Sequence, residues 1–331
     1  MKENFREIFN SSVAKGINYR AVCIYIYENG PSTAPQISKN IGLSLPTVCH
    51  AVEFGVNMGL LVPGEMLGAE CGRKAQLYKV NTDHMHSMLI YLDSDTVSYM
   101  TADFVFGTVK NGSVPAENEN VLSVLDDLIE ASIAEDPLIK MVAVAVSGVV
   151  CKGAVVESKS FPSLKGVNIV EHISEKFGVS VVADNDFHAV AHVALNYSDC
   201  EDSTALFYAY GKLNSGFAII ADGNVLCGAS GAAGELEDIS LCVLGSDTER
   251  IEFCGEQLSI LISLMNPNKV IIYELNNGLD TERLISLTKE KVTPYLLPEF
   301  KLRKTFFEDC FLGLKAMLKI KVNRDILSQV K

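Results

Sequence analysis

At 331 residues, 48% hydrophobic and 21% charged, the chain has the composition of an ordinary globular protein and the length for two or three domains. No stretch approaches roughly eighteen consecutive apolar residues, and the opening MKENFREIFN lacks the apolar region of a secretory signal, so neither a membrane-spanning helix nor export is expected. The formal charge of −13 at pH 7 is unevenly divided: residues 1–80 hold eight Lys/Arg against six Asp/Glu, a net of +2, and the remainder holds −15, as expected if only the head approaches a polyanion.

Ile17–Asn29 reads as a helix, with Val22 and Ile26 at helical spacing and a stop at Gly30-Pro31. Thr33-Ala-Pro-Gln36 has the form of a capping box that opens a second helix running through Ile41. Gly42-Leu43 makes a tight turn, and Ser44 caps a third helix with Pro46 in its first turn. Val48, Val52 and Val56 share one face of that helix, which Gly59 ends. Leu60–Val62 and Gln76–Val80 read as two short strands around the loop Pro63–Ala75. This is the order of a winged helix-turn-helix, whose third helix enters the DNA major groove.

Asn18–Asn81 also resembles the N-terminal domain of repressors of the ROK family (repressors, open reading frames and sugar kinases). The resemblance rests on Asn18-Tyr-Arg20, Gly30-Pro-Ser-Thr33, Gly42-Leu-Ser-Leu-Pro-Thr-Val48, Gly59-Leu-Leu61 and Gly72-Arg73. It implies duplex DNA as partner, an inverted repeat read by two heads of a homodimer or higher homo-oligomer. Leu45 and His50 stand where the family usually has arginines, so a bidentate guanine reader is missing. Ser44, Thr47 and His50 remain to touch bases or phosphates, and Arg73 and Lys74 form the wing's contribution.

From His84 onward, β and α segments alternate. Met88–Leu92 and Ser98–Phe106 read as strands, Asn118–Glu130 as a helix, and the unalternating Met141–Val146 as a strand buried on both faces. Ile169–Phe177 is an amphipathic helix, followed by the short strand Val179–Val182. Further on, a strand, a tight Asp222-Gly223 turn and a second strand lead to the small-residue loop Gly231-Ala-Ala-Gly-Glu235.

This body, over most of Ser87–Leu327, resembles the ROK family again. The matching segments are Asp184-Asn185-Asp186 for its E-N-D triplet, the loop ending at Glu235, Asn266-Pro267 with Lys269–Tyr273, and the closing helix Phe307–Leu318. The resemblance implies an α/β fold: a winged helix-turn-helix at 1–82, then a two-lobed actin-like ATPase body. Its first lobe comprises 83–187 plus 305–331, and its second 188–304. It also implies that Asn185, Asp186 and Glu235 contact sugar hydroxyls, with Asp186 the general base in a kinase. Asp238 completes the candidate ligand set.

Four features of the family's kinases are missing. The first phosphate loop falls near Tyr91–Thr96, where Asp93 and Asp95 would oppose a triphosphate. The second, usually rich in glycine, reads Lys212-Leu213-Asn214-Ser215-Gly216-Phe217-Ala218. Backbone amides cradle phosphate only where no side chain intervenes. On the adenosine side, Glu274-Leu-Asn-Asn277 replaces a glycine run. The family's zinc set is reduced to Asp238 at the histidine position and to Cys242 and Cys254. His188 and His192 lie one helical turn apart, a spacing that could bind a metal but is more common in structural histidines. No metal and no cofactor are expected. Nine cysteines without CxxC pairs argue against a disulfide framework and fit a reducing, cytoplasmic setting.

These features point to a transcription regulator with a pseudokinase body that senses a carbohydrate or derivative and serves as a dimerisation platform. The alternative is an ATP-dependent sugar kinase using Asp186 as base. A third reading, an interaction scaffold, is motivated by Leu45 and His50.

Overall fold

The computed structural model describes residues 11–67, 74–196, 204–211, 215–235, 246–275 and 280–328. The head is built from α1 (Ser11–Asn29), α2 (Ala34–Ile41) and α3 (Leu45–Asn57), followed by β2 (Leu61–Leu67) and β3 (Ala75–Val80). The capping box forms: Thr33 N–H donates to Gln36 Oε1 at 2.8 Å, and Gln36 N–H donates to Thr33 Oγ1 at 3.4 Å. Val22, Ile26, Ile37, Val48, Val52 and Leu61 close the head's core.

Two features of the head differ from the sequence expectation. The first wing strand runs on through Pro63 to Leu67, with an irregularity between Pro63 and Met66 that lets a proline sit in the ladder. A two-residue strand, β1 (Ser32–Thr33), pairs antiparallel with Leu77–Tyr78 of β3. Two residues are too short to leave a periodic signal.

The first body sheet has the order β10-β7-β4-β5-β6. Its strands are β4 (His86–Asp93), β5 (Thr96–Ala102), β6 (Thr108–Pro115), β7 (Ile139–Val146) and β10 (Ser180–Asn185), and a small hairpin of β8 (Val149–Cys151) and β9 (Ala154–Glu157) lies beside it. The expected strand 98–106 stops at Ala102. There the Asp103 carboxylate accepts the Val105 and Gly107 N–H groups at 3.0 and 2.7 Å and turns the chain into β6. That edge strand is almost wholly exposed and polar, so it lacks the alternation that reveals a strand in sequence. The first helix, α4 (Val121–Glu135), starts three residues later than expected, because Glu117–Asn120 closes a turn of its own. The next, α5 (Ile169–Phe177), falls where the periodicity places it.

The second sheet has the order β13-β12-β11-β14-β15. It comprises β11 (Ala205–Gly211), β12 (Ser215–Ala221), β13 (Asn224–Val225), β14 (Lys269–Leu275) and β15 (Glu299–Arg303). Two helices, α7 (Asp247–Met265) and α8 (Thr281–Lys291), pack on its outer face through Leu258, Ile262, Leu284 and Leu287.

Between the two sheets lies a helix pair, α6 (Asp186–Asn196) and α9 (Phe306–Ser328). One cluster joins Leu89 and Ala143 of the first sheet to Ala189, Val190, Leu314 and Leu318 of the helices and to Phe207 and Ile271 of the second sheet. The helices cross so closely that a Cβ on Gly313 would sit 1.7 Å from the Ala189 carbonyl oxygen. The same helix supports the head: Lys319 lies over the Tyr27 ring at 5.5 Å, and Phe104 meets Tyr27 and His84 edge-on at 6.3 and 5.1 Å. Among the described residues, no helix is long and apolar enough to cross a membrane.

Because backbone rather than a flexible side chain faces Gly313, alanine there should force the helix pair apart. Overpacking of this kind typically costs ~1–3 kcal/mol. Gly313→Ala is therefore expected to lower the thermal midpoint by several degrees or prevent folding. Calorimetry that finds an unchanged midpoint would contradict the crossing.

Candidate functional site

The body's site sits where β10 hands over to α6. Strand β10 runs parallel to the buried β7, with Asn185 opposite Val146, so three polar residues emerge at the end of an apolar sheet. Asn185 is buried and uses both ends of its amide. Its Oδ1 accepts the Phe187 and His188 N–H groups at 2.7 and 3.1 Å, and its Nδ2 donates to Gly148 O at 2.5 Å and to Glu235 Oε1 at 2.9 Å. The last of these bonds crosses between the sheets.

Glu235 is delivered by a loop that only glycine could form. Gly231 and Gly234 have φ of 78° and 104°, and a Cβ on either would lie 2.1 Å from Val150 O or 1.8 Å from Phe217 O. The loop is thus wedged between β8 and β12. Asp238, assigned to the same pocket from the sequence, lies outside the described residues.

Asp186 is 4% exposed. Its Oδ2 accepts the Tyr91 hydroxyl at 3.0 Å and its Oδ1 the Phe187 N–H at 2.9 Å. Burial pushes its pKa up from 3.8 to about 8; the Tyr91 and Phe187 hydrogen bonds oppose that rise, and the nearby Asp93 and Glu235 charges add to it. Burial thus favours the protonated form of the Asp186 carboxyl and moves its titration towards neutral pH. Tyr91 is the participant that sequence reading missed. Within a buried strand a tyrosine reads as one more apolar residue, and only the placement of β4 against α6 brings its hydroxyl to Asp186.

The segment Tyr91–Thr96 is a hairpin turn in which Asp93 pairs with Thr96 and Ser94 is left-handed at φ 57°. Burial raises the pKa of Asp93 as well. Of the second glycine-poor loop, Lys212–Asn214 lies outside the described residues. Its surviving Gly216 is in contact with the Phe187 ring, which a Cβ would approach to 2.7 Å. Phe187 in turn tilts against Phe306 at 5.1 Å.

In the first turn of α6, His188 makes a second polar group with Asp184 and Cys227. Its Nδ1 is 2.8 Å from Asp184 Oδ1, and its Nε2 is 3.3 Å from the Ala233 carbonyl of the glycine loop. Burial alone would lower the pKa of His188, but hydrogen bonds and charge from Asp184 and Cys227 raise it to about 10. The donor atoms of the three residues lie within 4.8 Å of one another. His192, which the sequence pairs with His188, is not in the group. Cys227 was missed because it is distant in sequence and carries no motif.

On the head, Ser44 caps α3: its hydroxyl accepts the Thr47 N–H at 3.3 Å and lies 2.7 Å from Thr47 Oγ1. Both hydroxyls are thus engaged with each other at the helix start. His50 is exposed, together with Leu45, Cys49 and Glu53 of α3. Cys49 and Glu53 were not singled out from sequence, although helical spacing from Pro46 marks that face. Lys74 is exposed just before β3, and Arg73 lies outside the described residues.

The ROK family model matches residues 106–258. The xylose repressor of Caldicellulosiruptor bescii is 26% identical over 304 residues, covering 85% of this chain and 75% of that protein. The chain is similar to members of the ROK family, over the matched span and beyond it. A ROK transcriptional regulator, a homologue of the E. coli Mlc protein, superimposes with a TM-score of 0.73 at 16% identity, covering 96% of this chain and 99% of that one. The ROK hexokinase of Thermus thermophilus superimposes with a TM-score of 0.57 at 17% identity, over 72% of this chain and all of that one. The α/β body and the head thus share the architecture of a ROK regulator, and the body alone that of a ROK kinase.

The zinc set implied by the ROK resemblance does not fit this chain. Asp238 replaces the histidine, and Cys254 is fully buried in the apolar core under α7 rather than facing a site.

An acid whose pKa is raised on folding binds its proton more tightly in the native state, so its contribution declines as pH climbs from about 4 towards about 8. Asp186→Asn mimics the neutral carboxyl and removes this decline. The stability of the variant relative to the parent should therefore rise between pH 5 and pH 8, by up to about 1.4 kcal/mol per pH unit. Denaturant titrations at several pH values would test this, and parallel curves would refute a protonated Asp186.

Proposed function

We propose that the protein is a DNA-binding transcriptional regulator of the ROK type whose kinase-like body recognises a carbohydrate or derivative without phosphorylating it. The observation that carries the non-enzymatic reading is the Tyr91–Asp186 pair. A general base must be within reach of the hydroxyl it deprotonates; here the carboxyl is buried and its Oδ2 is taken by the Tyr91 hydroxyl at 3.0 Å. Asp93 in the hairpin turn adds an acid where the family binds phosphate, and Gly216 is occupied in packing against Phe187. Asp186 and Glu235 supply polar groups suited to an uncharged polyol, and Asn185, whose amide is fully engaged, positions Glu235. The similarity to xylose repressors supports a sugar as effector.

In this reading, two lobes, 83–187 with 305–331 and 188–304, close on the effector, and the chain assembles as a homodimer that presents two heads to an inverted repeat. Effector binding changes DNA affinity only insofar as the effector prefers one lobe arrangement over the other. The exposed face of α3, with His50 at its centre, enters the major groove, while Lys74 and Arg73 of the wing bind phosphates. Half-sites are then spaced by about one helical turn or a multiple of it.

Selection from genomic fragments at low salt should recover an inverted repeat. Lys74→Ala with Arg73→Ala should weaken binding to all sequences and flatten its salt dependence, by about 0.9 in log–log slope for each phosphate no longer neutralised. His50→Ala should instead alter sequence preference. MgATP with a panel of sugars should yield no ADP above background. Failure to recover any sequence would defeat the regulator reading, and sugar-dependent ADP formation abolished by Asp186→Asn would restore the kinase.

A further inference from the structure

We infer that Asp184, His188 and Cys227 form a zinc-type metal site that fastens the loop carrying Glu235 to the start of α6. The three donors come from separate elements: Asp184 from the end of β10, His188 from the first turn of α6, and Cys227 from the segment after β13. Their ligand atoms converge to within 4.8 Å of one another, and the His188 side chain is 1% exposed. One carboxylate oxygen, one imidazole nitrogen and one thiolate sulfur make a borderline-soft set. It suits zinc, whereas magnesium and calcium select oxygen ligands alone.

Zinc bonds of about 2.0 Å to nitrogen and oxygen give a tetrahedral edge of about 3.3 Å. The Asp184–His188 contact is 2.8 Å, so the ion would open it by roughly half an ångström. Coordination displaces the thiol proton of Cys227 and leaves His188 neutral, with both protons passing to solvent. The fourth position falls to a water, while the Ala233 carbonyl accepts the His188 Nε2–H at 3.3 Å and leaves Nδ1 as the ligating nitrogen.

These residues are not those of the family's zinc set, which would centre on position 238 and the cysteines after it. The consequence is also local. Asn185 lies between Asp184 and Asp186 and already bonds Glu235, so an ion on Asp184 and Cys227 would hold the start of α6 and the Glu235 loop in register. In its absence the Asp184–His188 bond does a weaker version of the same task.

The test uses the full chain, purified without an affinity tag, stripped with chelator and titrated with Zn²⁺ or Co²⁺. One equivalent should bind, Co²⁺ should give tetrahedral ligand-field bands with a thiolate charge-transfer band, and zinc should raise the thermal midpoint. Cys227→Ser should abolish the charge-transfer band and the thermal gain, and Asp184→Asn should weaken zinc at least about tenfold. The exposed Cys49→Ser should match the parent. Circular dichroism establishes that each variant is folded. Binding well below one equivalent, or stoichiometric binding that Cys227→Ser leaves unchanged, overturns the site. These readouts need no DNA, so the site and the regulator reading stand or fall separately.

Discussion

Everything at the candidate site is referred to one side chain, Asn185, at the junction of β10 and α6. A helix start leaves unpaired N–H groups, and here they are taken by Asn185 Oδ1, which accepts from Phe187 and His188. That fixes the amide's orientation and points Nδ2 at Gly148 O and Glu235. The same geometry aims Asp186 at Tyr91 and turns His188 back towards Asp184. Replacing Asn185 would therefore release the helix start, the contact between sheets and both polar groups together, since a buried group left without its partner costs ~1–3 kcal/mol.

What makes that junction rigid is the helix pair behind it. The second helix, α9, returns from the C-terminal part of the chain and is held against α6 at the Gly313–Ala189 approach. Apolar faces of both sheets close over the pair. The polar residues at the start of α6 thus stand on a support that packing has fixed from three sides. This is the condition for holding buried polar groups in one geometry rather than an average of several.

The sequence shows those parts of this arrangement whose causes are local. Thr33 with Gln36, Ser44 before Pro46, and the unalternating Met141–Val146 each announce their structure through a cap or a burial pattern within a few residues. Asn185, Asp186 and Glu235 were legible through family resemblance, and the structure brings Asn185 and Glu235 into contact. Features with non-local causes were not legible. The edge strand β6 is held by pairing with β5 although its side chains face water. Tyr91 and Cys227 acquire their roles only once α6 lies 95 residues downstream of one and the glycine loop folds back to the other. Ser44 and Thr47, singled out for DNA, also bond to each other at the cap of α3, where Ser44 stays exposed.

The position of α9 also bears on how the candidate site could be coupled to the head. Its crossing with α6 ties it to the residues beside Asp186, and its later turns carry Lys319 onto Tyr27 and Val322 into the cluster that includes the head. Phe104, at the end of β5, meets Tyr27 and His84 from the other side. The head is therefore seated on the helix that packs behind the candidate site, rather than hung from a linker. Any effector that shifts α6 against α9 must repack a contact that backbone atoms already fill, and close-packed contacts move between discrete arrangements rather than deforming smoothly. A rotation of α9 reaches Tyr27 directly. In a dimer this would change the separation of two heads, the quantity to which an inverted repeat of fixed spacing is most sensitive.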